Sequence, residues 1–501
     1  MTSRTLAAAL ATILALPLAL TAQTPAALPP AAAPALAPET AAALDNLTGR
    51  LLLHGQAYEY DRQLADGIGP RLTGSANYVK AVDWAIAEFT RLGLKNVHKE
   101  SWTIPATWEP AEFASAHILE PHIQRLHLES EGWSPSTPES GIRGPVFHLP
   151  NLNSADAIRA EAANIKGSII LIDSDSHNSG EPASEGTIYQ NHKLLADLGA
   201  LAILSGTGTV QNAVSVGGPW DGAILPLPTA VVGQEDTLLL RRLLEKGPVT
   251  IKFRFINAIR EHVSIDNVVA DLPGRDLPKE IVLIGGHLDS WHPGTGAQDN
   301  GTGAASVVAI AQAVTASGRA PRRTLRFALF GGEEEGLLGS QAFTRAHQAE
   351  MPSYDAVLIT DTGSDAPKGW MTLGRADLTA ALAPIKPLLA GLGADGISNY
   401  PRIAFGTDDA GFLARGVPAL VLWTSFDKYM ALHHKPSDTF DKVSQRDLSL
   451  GATVVGLTAY AIADSPQPFA PHLTPDQVED QMKKAKIFDE FDDMRKNGWL
   501  Y

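Results

Sequence analysis

Short apolar runs, each closed by glycine or by polar residues, punctuate the chain from Asn267 to about Ala463. The clearest is Ile281–Ile284, which runs into Gly285-Gly286. A continuous apolar run bounded by glycine is how a strand buried on both faces of a parallel sheet reads. Further runs at Thr324–Phe330, Ala356–Thr360 and Ala419–Leu422 alternate with helical stretches, among them the alanine-rich segment Ala304–Ala311. That alternation predicts an α/β fold with a mainly parallel central sheet flanked by helices.

The flanks read differently. From about Ala41 the pattern turns helical, and Ser75 is placed to cap a helix carrying Val79, Val82, Ile86 and Phe89 on one face and ending near Gly93. Between 123 and 260 short strands such as Ser168–Ile172 and Thr229–Val232 are separated by Pro and Gly turns, with one helix over Gln190–Leu198. This reads as a β-rich inserted module. Its His177 and His192 stand alone, with no carboxylate at metal spacing, so no catalytic residues are expected there. After the Pro466–Pro471 stretch, Thr474, Pro475 and Gln477 form a capping-box signal for a last helix. Phe488, Phe491, Trp499 and Tyr501 suggest that this tail docks on the catalytic domain or on a partner subunit.

At the amino end, Arg4 precedes an apolar run from Leu6 to Leu20 and the small pair Thr21-Ala22. This reads as a secretory signal peptide over residues 1–22, too short for a membrane span. The expectation is export to the periplasm or the medium, with no membrane span after signal removal. An Ala/Pro-rich linker over 23–40 follows. The expected division is then 41–122 as the first part of the catalytic domain, 123–260 as the insert, 261–465 as the rest of the catalytic domain and 466–501 as the tail. Cysteine is absent, which excludes disulfides and thiolate metal sites. A formal net charge of −15 argues against nucleic acid as the partner.

Ligands of open α/β sheets collect beyond the carboxyl ends of the strands, and there the chain places its chemistry. His287, Asp289 and Asp299 follow the first strand, Glu333-Glu334-Glu335 the second and Asp361 the third, while His433-His434 and Asp438 come later. Singly, each has an ordinary structural explanation: a glutamate run is usually a solvated face, and a strand-end aspartate is usually a helix cap. Together they supply nitrogen and oxygen ligands for divalent ions. Two such ions roughly 3.5–4 Å apart need a carboxylate and a water between them, and the water is acidified toward a pKa of ~7. A further carboxylate must take its proton and pass it to the leaving amine. The chain has neither a Gly-x-Ser-x-Gly elbow nor a His-Glu-x-x-His helix, which sets serine-hydrolase and single-zinc helix chemistry aside.

The block His287-Leu288-Asp289-Ser290-Trp291, with Gly294, Gly296, Ala297 and Asp299, resembles the co-catalytic di-zinc aminopeptidase and glutamate carboxypeptidase family. So do Glu333-Glu334-x-Gly336, Gly406-Thr407-Asp408, Gly416-Val417-Pro418, and Tyr429 followed by His433-His434 and Asp438-Thr439. An amino-terminal block, Gly69-Pro70-Arg71-Leu72-x-Gly74-Ser75, extends the likeness over roughly Leu51 to Asp464.

The resemblance implies a zinc exopeptidase fold whose insert is a protease-associated-like domain, two Zn2+ ions, peptide substrates and a homodimer. It implies that His287 and Asp361 hold one zinc, Glu334 and His434 the other, and that Asp299 bridges them. Glu333 would be the general base and later the acid, Asp289 would orient His287, and Tyr429 would donate to a developing oxyanion. The implied activity is hydrolysis of short peptides, chiefly unblocked dipeptides, with removal of amino-terminal residues from longer peptides as the alternative. A binding protein that had lost the chemistry would show an incomplete site, whereas every position is filled here. Two positions depart from the family: Gly332, where alanine is common, and Asp409, where many aminopeptidases have histidine. The extra acid at Asp409 is expected to favour a free amino terminus.

Overall fold

The computed structural model describes residues 36–178, 185–206, 211–399, 406–496, 498 and 500. The expected signal peptide, most of the expected linker, and Trp499 and Tyr501 lie outside the described residues. No helix among the described residues is long and apolar enough to cross a membrane.

The parallel core forms where the apolar runs predict it. Leu277–His287 lies between Arg323–Phe330 and Tyr354–Ile359, parallel to both, and Tyr354–Ile359 is parallel to Ala419–Trp423. From Ile281 onward the central strand is buried at every position, and it runs on through both glycines so that His287 is its last residue. The sheet edge beyond Ala419–Trp423 is antiparallel, through Gly369–Met371. Helix Thr302–Ser317, with most of its surface buried, packs across the sheet against helix Gln445–Asp464. A helix that is apolar nearly all round belongs inside a layered fold.

On the other side the sheet continues. Thr250–Leu272 pairs antiparallel with Arg323–Phe330 and with the long strand Lys95–Glu120, and it runs unbroken past residue 260. Its far end pairs with Ile142–His148, and from there Ile169–Ile172, Ala202–Gly206 and Thr229–Val232 continue in parallel. Helices Ala155–Ala160, Glu185–Asp197 and Gln234–Leu244 connect these strands. The segment is therefore more helical than its short strands suggested, because parallel neighbours need crossover connections.

Smaller expectations resolve in the same way. Helix Ala76–Arg91 is capped by Ser75, whose hydroxyl accepts the Tyr78 N–H. Its buried stripe is Tyr78, Ala81, Val82, Ala85 and Phe89, while Val79 faces solvent. The Tyr78 hydroxyl donates to the Asp266 carbonyl at 2.8 Å, and this long-range bond turns the helix by one position from the aliphatic stripe. The tail forms helix Pro475–Ala485 with the full Thr474–Gln477 capping box, then helix Phe488–Lys496. Val478, Met482, Phe491 and Met494 close over Leu337, Leu373 and Ala410. Truncation before Thr474 is expected to expose that cluster and lower the melting temperature by several degrees; an unchanged melting curve would show that the tail adds no stability.

His292 sits where the long strand meets the loop after His287, its ring 5.0 Å from that of Trp108 and 6.4 Å from that of Trp291. Both ring nitrogens are buried without a hydrogen-bond partner, and burial pushes the imidazole down to about 4. The unfolded chain, with an ordinary histidine near 6.5, therefore binds the extra proton between those values. This contribution to stability is complete above pH 6.5 and is lost as pH falls toward 4, by up to roughly 3 kcal/mol. Denaturant titrations from pH 4 to 7 should show a shallower pH slope for His292→Phe than for the wild type; parallel slopes would refute the assignment.

Candidate metal centre

Strand ends and the loops that follow them bring the site together. His287 Nε2 lies 3.2 Å from Asp299 Oδ1, 3.3 Å from Asp361 Oδ1 and 4.0 Å from Glu333 Oε2. On the other side of Asp299, Oδ2 lies 3.4 Å from His434 Nε2, which is itself 2.9 Å from Glu334 Oε2. Asp299 thus turns one oxygen toward each histidine. His287, Asp299 and Asp361 are all buried. His433 Nε2 also reaches Asp299 Oδ2 at 3.4 Å, with its ring stacked 3.6 Å from that of His434. His434 also meets Glu334, and His433 is the more exposed of the two.

The three consecutive glutamates diverge. Glu333 faces His287 and Glu334 faces His434, whereas Glu335 is buried among groups that include Asp289 and Thr73. The turn that aims them needs Gly332. Its φ is +70°, and a β-carbon there would lie 2.6 Å from the Trp102 ring. A left-handed backbone against an indole suits glycine and not alanine, which accounts for the residue at this position.

Other buried groups hold these side chains in place. Asp289 meets His287 Nδ1 through its own carbonyl at 3.2 Å, while its carboxylate accepts the Thr73 hydroxyl at 3.0 Å and the Glu334 N–H at 3.2 Å. Asp438 accepts the N–H groups of Gln298 at 2.7 Å and Asp299 at 3.1 Å. The fully buried Arg71 donates to the carbonyls of Leu288, Thr295 and Gly296, tying down the loop between His287 and Asp299. The Tyr429 hydroxyl donates to Asp361 Oδ1 at 3.1 Å.

The electrostatics suit cations. Burial raises the carboxyls of Glu334 and Asp408 to about 7 and Glu333 well above its usual range, with neighbouring carboxylates adding to the rise. Burial opposes the charge on His287 and His434, yet adjacent carboxylates outweigh it, bringing His434 up to about 10. Asp299 is held well below the carboxylate range: burial would raise it, and the two histidines overcome that. Glu334 Oε1 is buried with no hydrogen-bond partner. A buried cluster richer in carboxylates than in imidazoles, with an orphaned carboxylate oxygen, is the donor set that divalent ions complete. The residues present fit such ions.

Asp409 is buried, and burial together with Asp408 raises its carboxyl well above the usual range, which opposes the negative charge expected of it. Asp408, which feels both His287 and Asp361, is the neighbour that faces the site. Sequence reasoning gave Asp408 no role, because no spacing ties residue 408 to a strand end.

Residues 267–457 match peptidase family M28. Carboxypeptidase Q of Pongo abelii is 30% identical over 434 residues, spanning 85% of this chain and 89% of the relative. Leucine aminopeptidase 2 of Trichophyton rubrum is 25% identical over 420 residues, spanning 79% of each. Among solved structures, a peptidase M28 precursor from Shewanella amazonensis superposes with a TM-score of 0.75 at 28% identity, covering 87% of this chain and 99% of that one. A zinc aminopeptidase from Bacillus subtilis shares the fold, with a TM-score of 0.63 at 18% identity, over 84% of this chain and 98% of that one.

Replacing Asp438 with asparagine puts an amide donor against one of two backbone N–H groups. Asp438→Asn is expected to weaken metal binding by about 10–100-fold, as losing an outer support of a ligand does. Competition against a chromogenic chelator measures it; wild-type affinity in the variant would show that Asp438 does not position Asp299.

Proposed function

The chain belongs to peptidase family M28, and from that premise we propose that this metallopeptidase is an exported, zinc-dependent exopeptidase acting on short peptides, most of all unblocked dipeptides. The observation that carries this reading is the placement of Asp299 between His287 and His434, with one oxygen toward each. Two zinc ions are the proposed complement. His287 and Asp361 would hold one, Glu334 and His434 the other, and Asp299 would serve both. When bound, zinc supplies Lewis acidity that polarises the scissile carbonyl and makes water nucleophilic at neutral pH.

The chain's own residues supply the rest. Glu333, buried and surrounded by carboxylates, has a raised proton affinity. That suits a group that must take a proton from water and hold it for the leaving amine. Asp289 fixes the ring of His287 through its carbonyl and anchors the Glu334 turn through its carboxylate. The Tyr429 hydroxyl is buried and held protonated, so it remains a donor; it orients Asp361 and is the candidate partner for an oxyanion at that edge of the site. Because burial opposes a charge on Asp409, recognition of a free amino terminus is not assigned to it.

The same reading keeps the remaining expectations as proposals: a signal peptide over 1–22, a protease-associated-like insert over 123–260, a tail from 466 and a homodimer. The second reading, an aminopeptidase on longer peptides, draws on the similarity to leucine aminopeptidase 2.

Amino-acid release by zinc-loaded protein tests the choice on a free dipeptide, its N-acetyl form, its C-terminal amide and a tetrapeptide. Cleavage of the free dipeptide alone is expected. Glu333→Gln should lower it by at least about 100-fold, the scale of a lost general base. Cleavage of the amide and the tetrapeptide from the amino end would establish the aminopeptidase, and zinc-dependent release from none of them would overturn both.

A further inference from the structure

A half-open cavity of about 820 Å³ lies between the inserted segment and the carboxyl-terminal helix. Its size is that of a small-ligand site. Its ionisable lining is acidic, with Glu131, Asp221 and Asp493 and no lysine or arginine among the described lining residues, and burial pushes the Glu131 carboxyl up to about 8. Trp220, Tyr189 and His192 supply flat faces.

The cavity wall is also a wall of the metal centre. Trp291 packs its ring 5.9 Å from that of His434, and on its other side it lies so close to Gly132 and Gly218 that a β-carbon at either would meet the indole within 3 Å. Gly218 lines the cavity, and Gly132 directly follows Glu131. The loop that carries Gly218, Trp220 and Asp221 is pinned at both ends of the centre. Upstream, the Val216 N–H donates to the His434 carbonyl at 3.0 Å and the Ser215 hydroxyl donates to the His433 carbonyl at 3.2 Å. Downstream, the Trp220 carbonyl lies where a β-carbon of Gly336 would be, 2.3 Å away, just past the three glutamates. Glu131 Oε1 accepts the Gly217 N–H at 3.1 Å. One buried nitrogen in the same lining, His192 Nε2, is without a partner.

We infer that this cavity receives a cationic group of the peptide substrate, an ammonium or guanidinium held by Glu131 and Asp221 against the Trp220 and Tyr189 rings. The inference rests on the exopeptidase reading for the identity of the ligand, and on the cavity alone for its charge. Carboxylates in a recessed acidic wall favour a cation over a neutral isostere, and aromatic faces add to the preference. The contribution comes from the inserted segment, which places a determinant of specificity there without a metal ligand.

Two readouts test it on the zinc-loaded full chain above pH 8, where the Glu131 carboxyl is ionised. The first is kcat/KM for Lys–Ala and Ala–Lys against their norleucine counterparts, all with a free amino terminus. The second is inhibition or calorimetric binding of butylguanidinium against the neutral butylurea, neither of which is a peptide. The wild type should prefer the cation by about tenfold or more in both. Glu131→Gln, checked for an unchanged melting temperature, should bring the ratio toward one, and Asp221→Asn should lower it in the same sense.

A lysine preference over norleucine that Glu131→Gln abolishes assigns the side chain as the cation. An equal loss of turnover for the lysine and norleucine peptides in Glu131→Gln, with its butylguanidinium preference also lost, assigns the α-amino group instead. Peptide hydrolysis with butylguanidinium no tighter than butylurea, or with the cation preference intact in both variants, would overturn the cavity assignment and leave the exopeptidase standing. Glu131-dependent binding of butylguanidinium without hydrolysis of any peptide would do the reverse.

Discussion

The constraint on which the rest depends is the burial of many carboxylates around two imidazoles. Asp299, Asp361, Glu333, Glu334 and Asp408 stand close enough to His287 and His434 to shift, or be shifted by, their charges. Such a cluster cannot be dispersed by water, because the strand ends that carry it are inside the protein. It stays together only because surrounding groups commit their donors to it. Asp438 and Arg71 hold the backbone between His287 and Asp299, and Thr73 holds Asp289. Structural and chemical roles are therefore hard to separate here: the residues that keep the loop shape are those that set where the ligand atoms point.

Much of this was legible in the chain. Parallel core strands read out from four apolar runs because strands buried on both faces leave no polar alternation to confuse them. The positions of His287, Asp361 and the glutamates followed from the rule that ligands gather past strand ends. The family likeness then matched residues to roles that spacing alone could not have assigned. What stayed hidden was of two kinds. The exposed Val79 and the helices of the insert depend on tertiary partners, such as the bond from Tyr78 to Asp266. The contributions of Glu131, Asp438 and Asp408 depend on distant segments meeting, and no local pattern marks a carboxylate that will receive two backbone N–H groups from residues 140 and 139 positions away.

The two halves of the centre differ in what fixes them. His287 ends a strand in the middle of the sheet, and Asp361 follows the end of its neighbour. Their separation is set by strand pairing, which changes little without loss of the core. His434 belongs to a loop, and its φ of +60° is a left-handed conformation that a histidine adopts only at some energetic cost. That conformation persists because its surroundings over-determine it. The Val216 N–H caps the His434 carbonyl, the Ser215 hydroxyl caps the carbonyl before it, and the Trp291 ring packs against the imidazole. Two of these three restraints come from residues 215 and 216. That stretch is thus part of how His434 is aimed, although among the described residues it adds nothing to the clusters of Asp299 with His433 and His434 and of Asp299 with His287 and Asp361. A change in its 215–221 loop would reach the reaction through the angle of one imidazole, whereas a change at the strand ends would have to pass through the sheet. Specificity and ligand geometry on the His434 side are carried by the same stretch of chain, so alterations that reshape the cavity without disturbing the Val216 and Ser215 bonds are the ones the centre can absorb.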